Sequence, residues 1–291
     1  MTLEYSSVTE KRLSLLRQLP ESIQGTLSRV WQQHYEELYE PEAEDAASLQ
    51  DALDEILEVF QSNNQTLSHI RYVWMALILA SVVEPTVQYY QPLNLIPQKT
   101  LSKIELWLLE NLEKMRDSKR KFSNALREEE FNALVDGIKS DYTKDKEVEN
   151  FQIIFEALDV YRSAIKTLDY NQSLESLLDL LDNCLEGYAI FPGSHGRREL
   201  FDWWLLEVVP ASWYLMPPSS IYSLDKLETE KNKGFCQMNK LKEISSAMWK
   251  IILRASTSRQ RSNLRTFPNT NKFEDYLNTI PGDVRLDKWA S

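Results

Sequence analysis

Apolar side chains in this chain recur at helical spacing, and nowhere keep the two-residue spacing of a half-buried strand beyond five or six residues. Leu49, Leu53, Ile56, Leu57 and Phe60 fall at i, i+4, i+7, i+8 and i+11, one stripe of a helix. Thr66 or Ser68 is expected to cap the next helix, which runs through Ile70, Val73, Trp74, Leu77 and Val83 and stops at Pro85. Pro97 suits the first turn of a further helix with the stripe Leu101, Ile104, Leu108 and Leu112. Phe151, Ile154, Phe155, Leu158, Tyr161, Ile165 and Leu168 make another stripe. Leu174, Leu177, Leu178, Leu181 and Leu185 make the next, with Gly187 as its C-cap. A short Trp-rich helix is expected over 199–209, ending at Pro210, and one more over 241–253; 219–233 and 256–271 read as loop or tail. The fold class is all-α, an irregular multi-helix bundle or helical array.

With 291 residues, 43% of them apolar, the chain can bury a sizeable core. The stretch 114–150 is rich in both charge signs and poor in large apolar residues. The organisation expected is therefore an N-terminal helical half (1–115), a charged connecting segment (116–150), a C-terminal helical half (151–255) and a basic, partly irregular tail (256–291). Seven glycines are few for folds built on tight turns or phosphate loops, and two cysteines with three histidines leave little material for a zinc site. The nearly uncharged run 72–83 is shorter than the roughly 20 residues of a bilayer crossing and reads as a buried core helix. No apolar leader opens the chain, so the expected setting is the cytoplasm, with Cys184 and Cys236 kept as thiols. A formal net charge of −11 disfavours nucleic acid as a partner.

Charge is unevenly placed. Residues 36–58 hold ten acids (36, 37, 40, 42, 44, 45, 51, 54, 55 and 58), and no Lys or Arg lies between Arg29 and Arg71. Such a block is either the wet face of a helix or a field that steers a cationic partner. On the second reading the candidate binding residues are Glu36, Glu37, Glu40, Glu44, Asp45, Asp51 and Asp54. Six basic residues and no acid occupy 250–272, which can complement that block within the chain or between two copies, so self-association is open. Residues 187–202 hold three glycines followed by Arg197 and Arg198. This stretch fits neither the phosphate-loop template nor the nucleophile elbow around Ser194, and it reads as a sharp turn into a helix, with an anion site as the less favoured alternative. His34 and His69 are isolated, neither lying four residues from a second histidine, and the aromatics Trp203, Trp204, Trp213 and Tyr214 read as core or interface anchors. No nucleophile–base pair, metal set or cofactor loop is expected, hence no catalysis, metal or cofactor.

One stretch carries a resemblance. Residues 69–80 read His-Ile-Arg-Tyr-Val-Trp-Met-Ala-Leu-Ile-Leu-Ala, followed by Val83-Glu84-Pro85, Pro92, Pro97 and a helix reaching Trp107-Leu108. This segment, 69–108, resembles the Imm-5-like helical immunity proteins of bacterial polymorphic-toxin systems, through Arg71, Trp74, Pro85, Pro97 and Trp107. The resemblance implies an all-α cytoplasmic protein that binds and neutralises a cognate toxin without catalysis, and leaves open whether those five residues serve packing or toxin contact. The region after Gly187 extends beyond the family pattern. The alternative is a helical scaffold or regulatory adaptor for a cytoplasmic partner.

Overall fold

One helix sets the architecture because its sequence leaves it no wet face. In the computed structural model every residue over 67–83 is buried, including Ser68, His69, Arg71 and Ser81. A helix that is apolar all round must be enclosed by others. The structure describes residues 19–38, 46–61, 64–116, 151–185, 193–222 and 228–260, with the single positions 133, 136, 187, 189 and 190. The elements are α1 (Glu21–Trp31), a 3-10 turn (Glu36–Leu38), α2 (Leu49–Val59), α3 (Gln65–Tyr90), α4 (Ile96–Arg116), α5 (Phe151–Lys166), α6 (Ser173–Leu185), α7 (Gly193–Trp203), a π-helical turn (Trp204–Val208), α8 (Val209–Trp213) and α9 (Glu228–Gln260). Among the described residues there is no strand, only an isolated bridge between Tyr35 and Ala47. The fold is all-α. Helix α3 is the centre, packed against α4, α5, α6, α8 and α9. Helices from both sides of the 116–150 segment contribute to one apolar core around it. By length and composition α3 would pass for a membrane span, but here it is the enclosed helix of that core.

The expected stripes of α2 and α4 face inward, as do Ile154, Leu158, Tyr161 and Ile165 of α5, Leu168 just past it, and Leu177, Leu181 and Leu185 of α6. Phe155 is instead 37% exposed, Leu174 and Leu178 are half-buried, and the side chain of Phe151 lies outside the described residues. Trp74 and Trp107 are both buried, on the packed pair α3 and α4. Four boundaries differ from expectation. Asn64, not Thr66 or Ser68, caps α3: the Leu67 N–H donates to Asn64 Oδ1 at 2.9 Å. Pro85 does not stop α3, which continues to Tyr90. Buried Thr86 and Val87 hold the turn after the proline, and the Tyr161 hydroxyl donates to the Ala80 carbonyl at 2.9 Å in the turn before it. Pro210 does not stop its helix either. It sits in the first turn of α8, immediately after the π-helical turn closed by the Val209 N–H on the Trp204 carbonyl. A proline ring clashes with the carbonyl four residues back, and the wider π turn relieves the crowding there. Finally, 228–233 and 256–260, read as loop or tail, belong to α9. Gly187 does close α6. Its N–H donates to the Asp182 carbonyl, and a Cβ there would lie 2.5 Å from the Asn183 carbonyl oxygen.

Candidate functional site

The acidic block divides into a capping part and an outward part. Glu40, Glu44 and Asp45, with Glu42, lie outside the described residues. Glu36 is exposed on the 3-10 turn. Glu37 is half-buried, and its Oε1 accepts from the Leu49 N–H at 3.2 Å. Ser48 Oγ accepts from the Asp51 N–H, so two side chains serve the orphan donors at the start of α2. Glu37 therefore caps α2 through one carboxylate oxygen. Along α2 the acids Asp51, Asp54, Glu55 and Glu58 stand at i, i+3, i+4 and i+7, opposite the buried stripe Leu49, Leu53, Ile56 and Leu57. Asp51 and Glu58 are exposed; Asp54, half-buried, accepts from Gln50 Nε2. Glu55 is in an ion pair with Arg29 of α1. What remains outward is a column of carboxylates from Glu36 through Asp51 and Asp54 to Glu58, on an element with no cation of its own.

The turn at 193–198 is the start of α7, and its two arginines are engaged inside the fold. Arg197 is buried and its Nη1 donates to the Leu185 carbonyl at the end of α6 at 3.0 Å. Arg198 donates through Nη1 to the Gln33 carbonyl (2.9 Å) and through Nη2 to the Trp31 carbonyl (2.6 Å) at the end of α1, while its Nε meets Asp202. The side chains of Ser194 and His195 lie outside the described residues. These arginines act as C-caps: a guanidinium at the last carbonyls of a helix meets both the orphan acceptors and the negative end of the dipole.

The same device recurs at the centre, supplied by one turn and a half of α3. His69 Nε2 lies 2.7 Å from the Thr167 carbonyl just past α5; a carbonyl only accepts, so Nε2 carries the proton. Arg71 Nε donates to the Trp213 carbonyl at 2.9 Å, and its guanidinium carbon sits 3.5 Å from the centre of the Trp213 ring. The Tyr72 hydroxyl donates to the Leu57 carbonyl in the last turn of α2 at 2.8 Å. Trp74 Nε1 donates to the Met216 carbonyl at 2.8 Å. Ser245 of α9 adds a bond to the Leu215 carbonyl, so three carbonyls at and just past the end of α8 are served from other elements. Leu215 takes φ 54°, the left-handed region that glycine fills in most helix stops. Its side chain is fully buried, and burial holds the conformation. Residues 69–74 thus cap the C-terminal ends of α2, α5 and α8.

Ionisation at this hub follows from burial. Burial lowers the pKa of His69, opposed by the Thr167 carbonyl and by Asp169. Its ring packs edge-on to Trp107 and Tyr170, with centroids 4.8 and 5.5 Å apart. Burial pushes Tyr72 up to about 12. His34 is exposed and far in character from His69. Cys184 is a buried free thiol whose pKa burial raises; Cys236 is exposed. Among the described residues no group of three or more His, Cys, Asp or Glu is placed to hold a metal ion. Trp203, Trp204 and Trp213 are core residues, while Trp31 at the end of α1 is 46% exposed. No family model matches the chain, and neither a curated protein nor a solved structure matches it.

Proposed function

We propose that this chain is a non-catalytic protein-binding protein of the cytoplasm, an immunity protein that neutralises a cognate bacterial toxin by meeting a cationic surface with its acidic face. The observation that supports the reading is the column Glu36, Asp51, Asp54 and Glu58, turned outward on a segment that carries no Lys or Arg between positions 29 and 71. A face of one sign raises the encounter rate with an oppositely charged partner. The resemblance over 69–108 supplies the identity of that partner class, although Arg71 and Trp74 are turned into the core and serve helix ends.

The test uses the product of a toxin-domain reading frame encoded beside this one, purified in an inactivated form, and measures binding kinetics at two salt concentrations. Screening shortens from about 10 Å at 0.1 M to about 3 Å at 1 M. The association rate should fall steeply across that range. Replacing Glu36, Asp51 and Glu58 together by Lys should slow association at least tenfold and leave melting as in the parent. A salt-insensitive rate overturns the acidic-face reading, and the absence of any such neighbouring frame favours the scaffold or adaptor.

A further inference from the structure

We propose that residues 219–222 form a strap that lifts from the rest of the fold as one unit, with the buried carboxylate of Glu207 as its latch. The strap follows α8 and crosses α7 and the π-helical turn. Among the described residues no backbone–backbone hydrogen bond holds it. What holds it is a set of side-chain bonds converging from two adjacent serines. Ser219 Oγ donates to Glu207 Oε2 at 2.5 Å, the Ser220 N–H to Oε2 at 2.8 Å, and Ser220 Oγ to Oε1 at 2.9 Å. Two further bonds flank these. Trp203 Nε1 donates to the Ser220 carbonyl at 3.0 Å, and the Tyr222 hydroxyl to the Gly196 carbonyl at 3.1 Å.

Apolar anchoring sits at the two ends. Pro218 is buried and half-buried Ile221 and Tyr222 pack against the core, while between them Ser219 is exposed and Ser220 half-buried, over Glu207 at 3% exposed. A segment without a backbone ladder, whose residues are exposed or half-buried, opens locally before the core does. Because most of its polar contacts end on one carboxylate, a single change of charge there acts on all of them together. The π-helical turn matters here, since it places Glu207 inward beneath the serines on a helix whose neighbours Trp204 and Val208 are buried. Lifting the strap uncovers Glu207 and the Trp203 ring, which now packs on Tyr222 with centroids 6.0 Å apart.

Hydrogen exchange followed by mass spectrometry on the full chain tests this. Glu207→Gln keeps the shape and removes the charge; Ser219→Asp, at an exposed position, sets a second negative charge against the latch. Each should speed exchange of the peptide covering 219–222 by tenfold or more, and Ser219→Ala by only a few-fold, while α3 and α5 exchange as in the parent. Unchanged exchange in Ser219→Asp and Glu207→Gln overturns the proposal. So does acceleration of α3 by the same factor, which would make Glu207 a contact of the whole core. If Glu207→Gln fails to fold, Ser219→Asp decides alone.

Discussion

The capping hub of α3 and the outer face of α2 use charge in opposite ways. Over 69–74, polar and cationic side chains are buried and each is committed to a helix end: His69 to α5, Arg71 and Trp74 to α8, Tyr72 to α2. On α2 the carboxylates Asp51 and Glu58 stand in water, while Glu37 and Glu55 of that acidic segment are committed to a cap and to an ion pair. Cations are spent inward on carbonyls, and anions are left outward. The inner groups should therefore govern stability and the outer ones encounter with a partner.

The comparison breaks most visibly at Trp74. Trp74→Ala should cost roughly 3–5 kcal/mol in denaturant unfolding, as for other buried tryptophans. Trp74→Phe retains most of the apolar volume but leaves the Met216 carbonyl bare, and should cost about 1–3 kcal/mol. If it unfolds like the parent, capping of that carbonyl contributes nothing measurable. Arg71→Met, which removes a charged donor from the Trp213 carbonyl, should cost about 1.5–3 kcal/mol by the same measurement.

The effect of acid on His69 comes next in size. Its pKa in the fold is depressed below the unfolded value of 6.5. The unfolded chain therefore binds the proton more readily, so this contribution to stability is intact above pH 6.5 and is lost as the pH falls through the lower folded value. Thermal melts from pH 7.5 downward should show that decline, and His69→Phe should remove its His-dependent part. The smallest change is expected outside. Glu36, Asp51 and Glu58 replaced together by Lys should shift unfolding by no more than about 0.5 kcal/mol per site. A larger loss would show that the acidic face is structural and would erase the contrast.

The stripes of α2 to α6 were legible because period 3.6 is a local property, and the all-α fold follows from them. Helix α1 was missed, although Ile23, Leu27 and Val30 keep helical spacing, because Gly25 and only three inward apolar positions make a short signal. Prolines misled twice for one reason: Pro85 and Pro210 are read as stops locally, but burial of the flanking residues carries the helix past them. The hub was illegible in principle. Arg71 and Trp74 meet carbonyls 142 positions away, and a carbonyl has no residue identity to read. Of the acidic candidates, Asp51 and Asp54 lie opposite the buried stripe of α2 as a 3.6 spacing implies, whereas the exposure of Glu36 and the capping role of Glu37 depend on a turn the pattern does not contain.

The enclosure of α3 also has a consequence in time. On the ribosome α3 emerges ahead of most of the helices that cover it, which end with α9, whose Gln237 reaches Glu84 and whose Ser245 bonds Leu215. At ~5–20 residues per second, the roughly 160 residues between the end of α3 and the inner face of α9 take about 8–30 s to make. Throughout that interval a helix apolar on every side, of membrane-spanning length, stands without its full cover. Holding it back from chaperones, neighbours and insertion machinery is a demand that this topology places on the cell each time the chain is made.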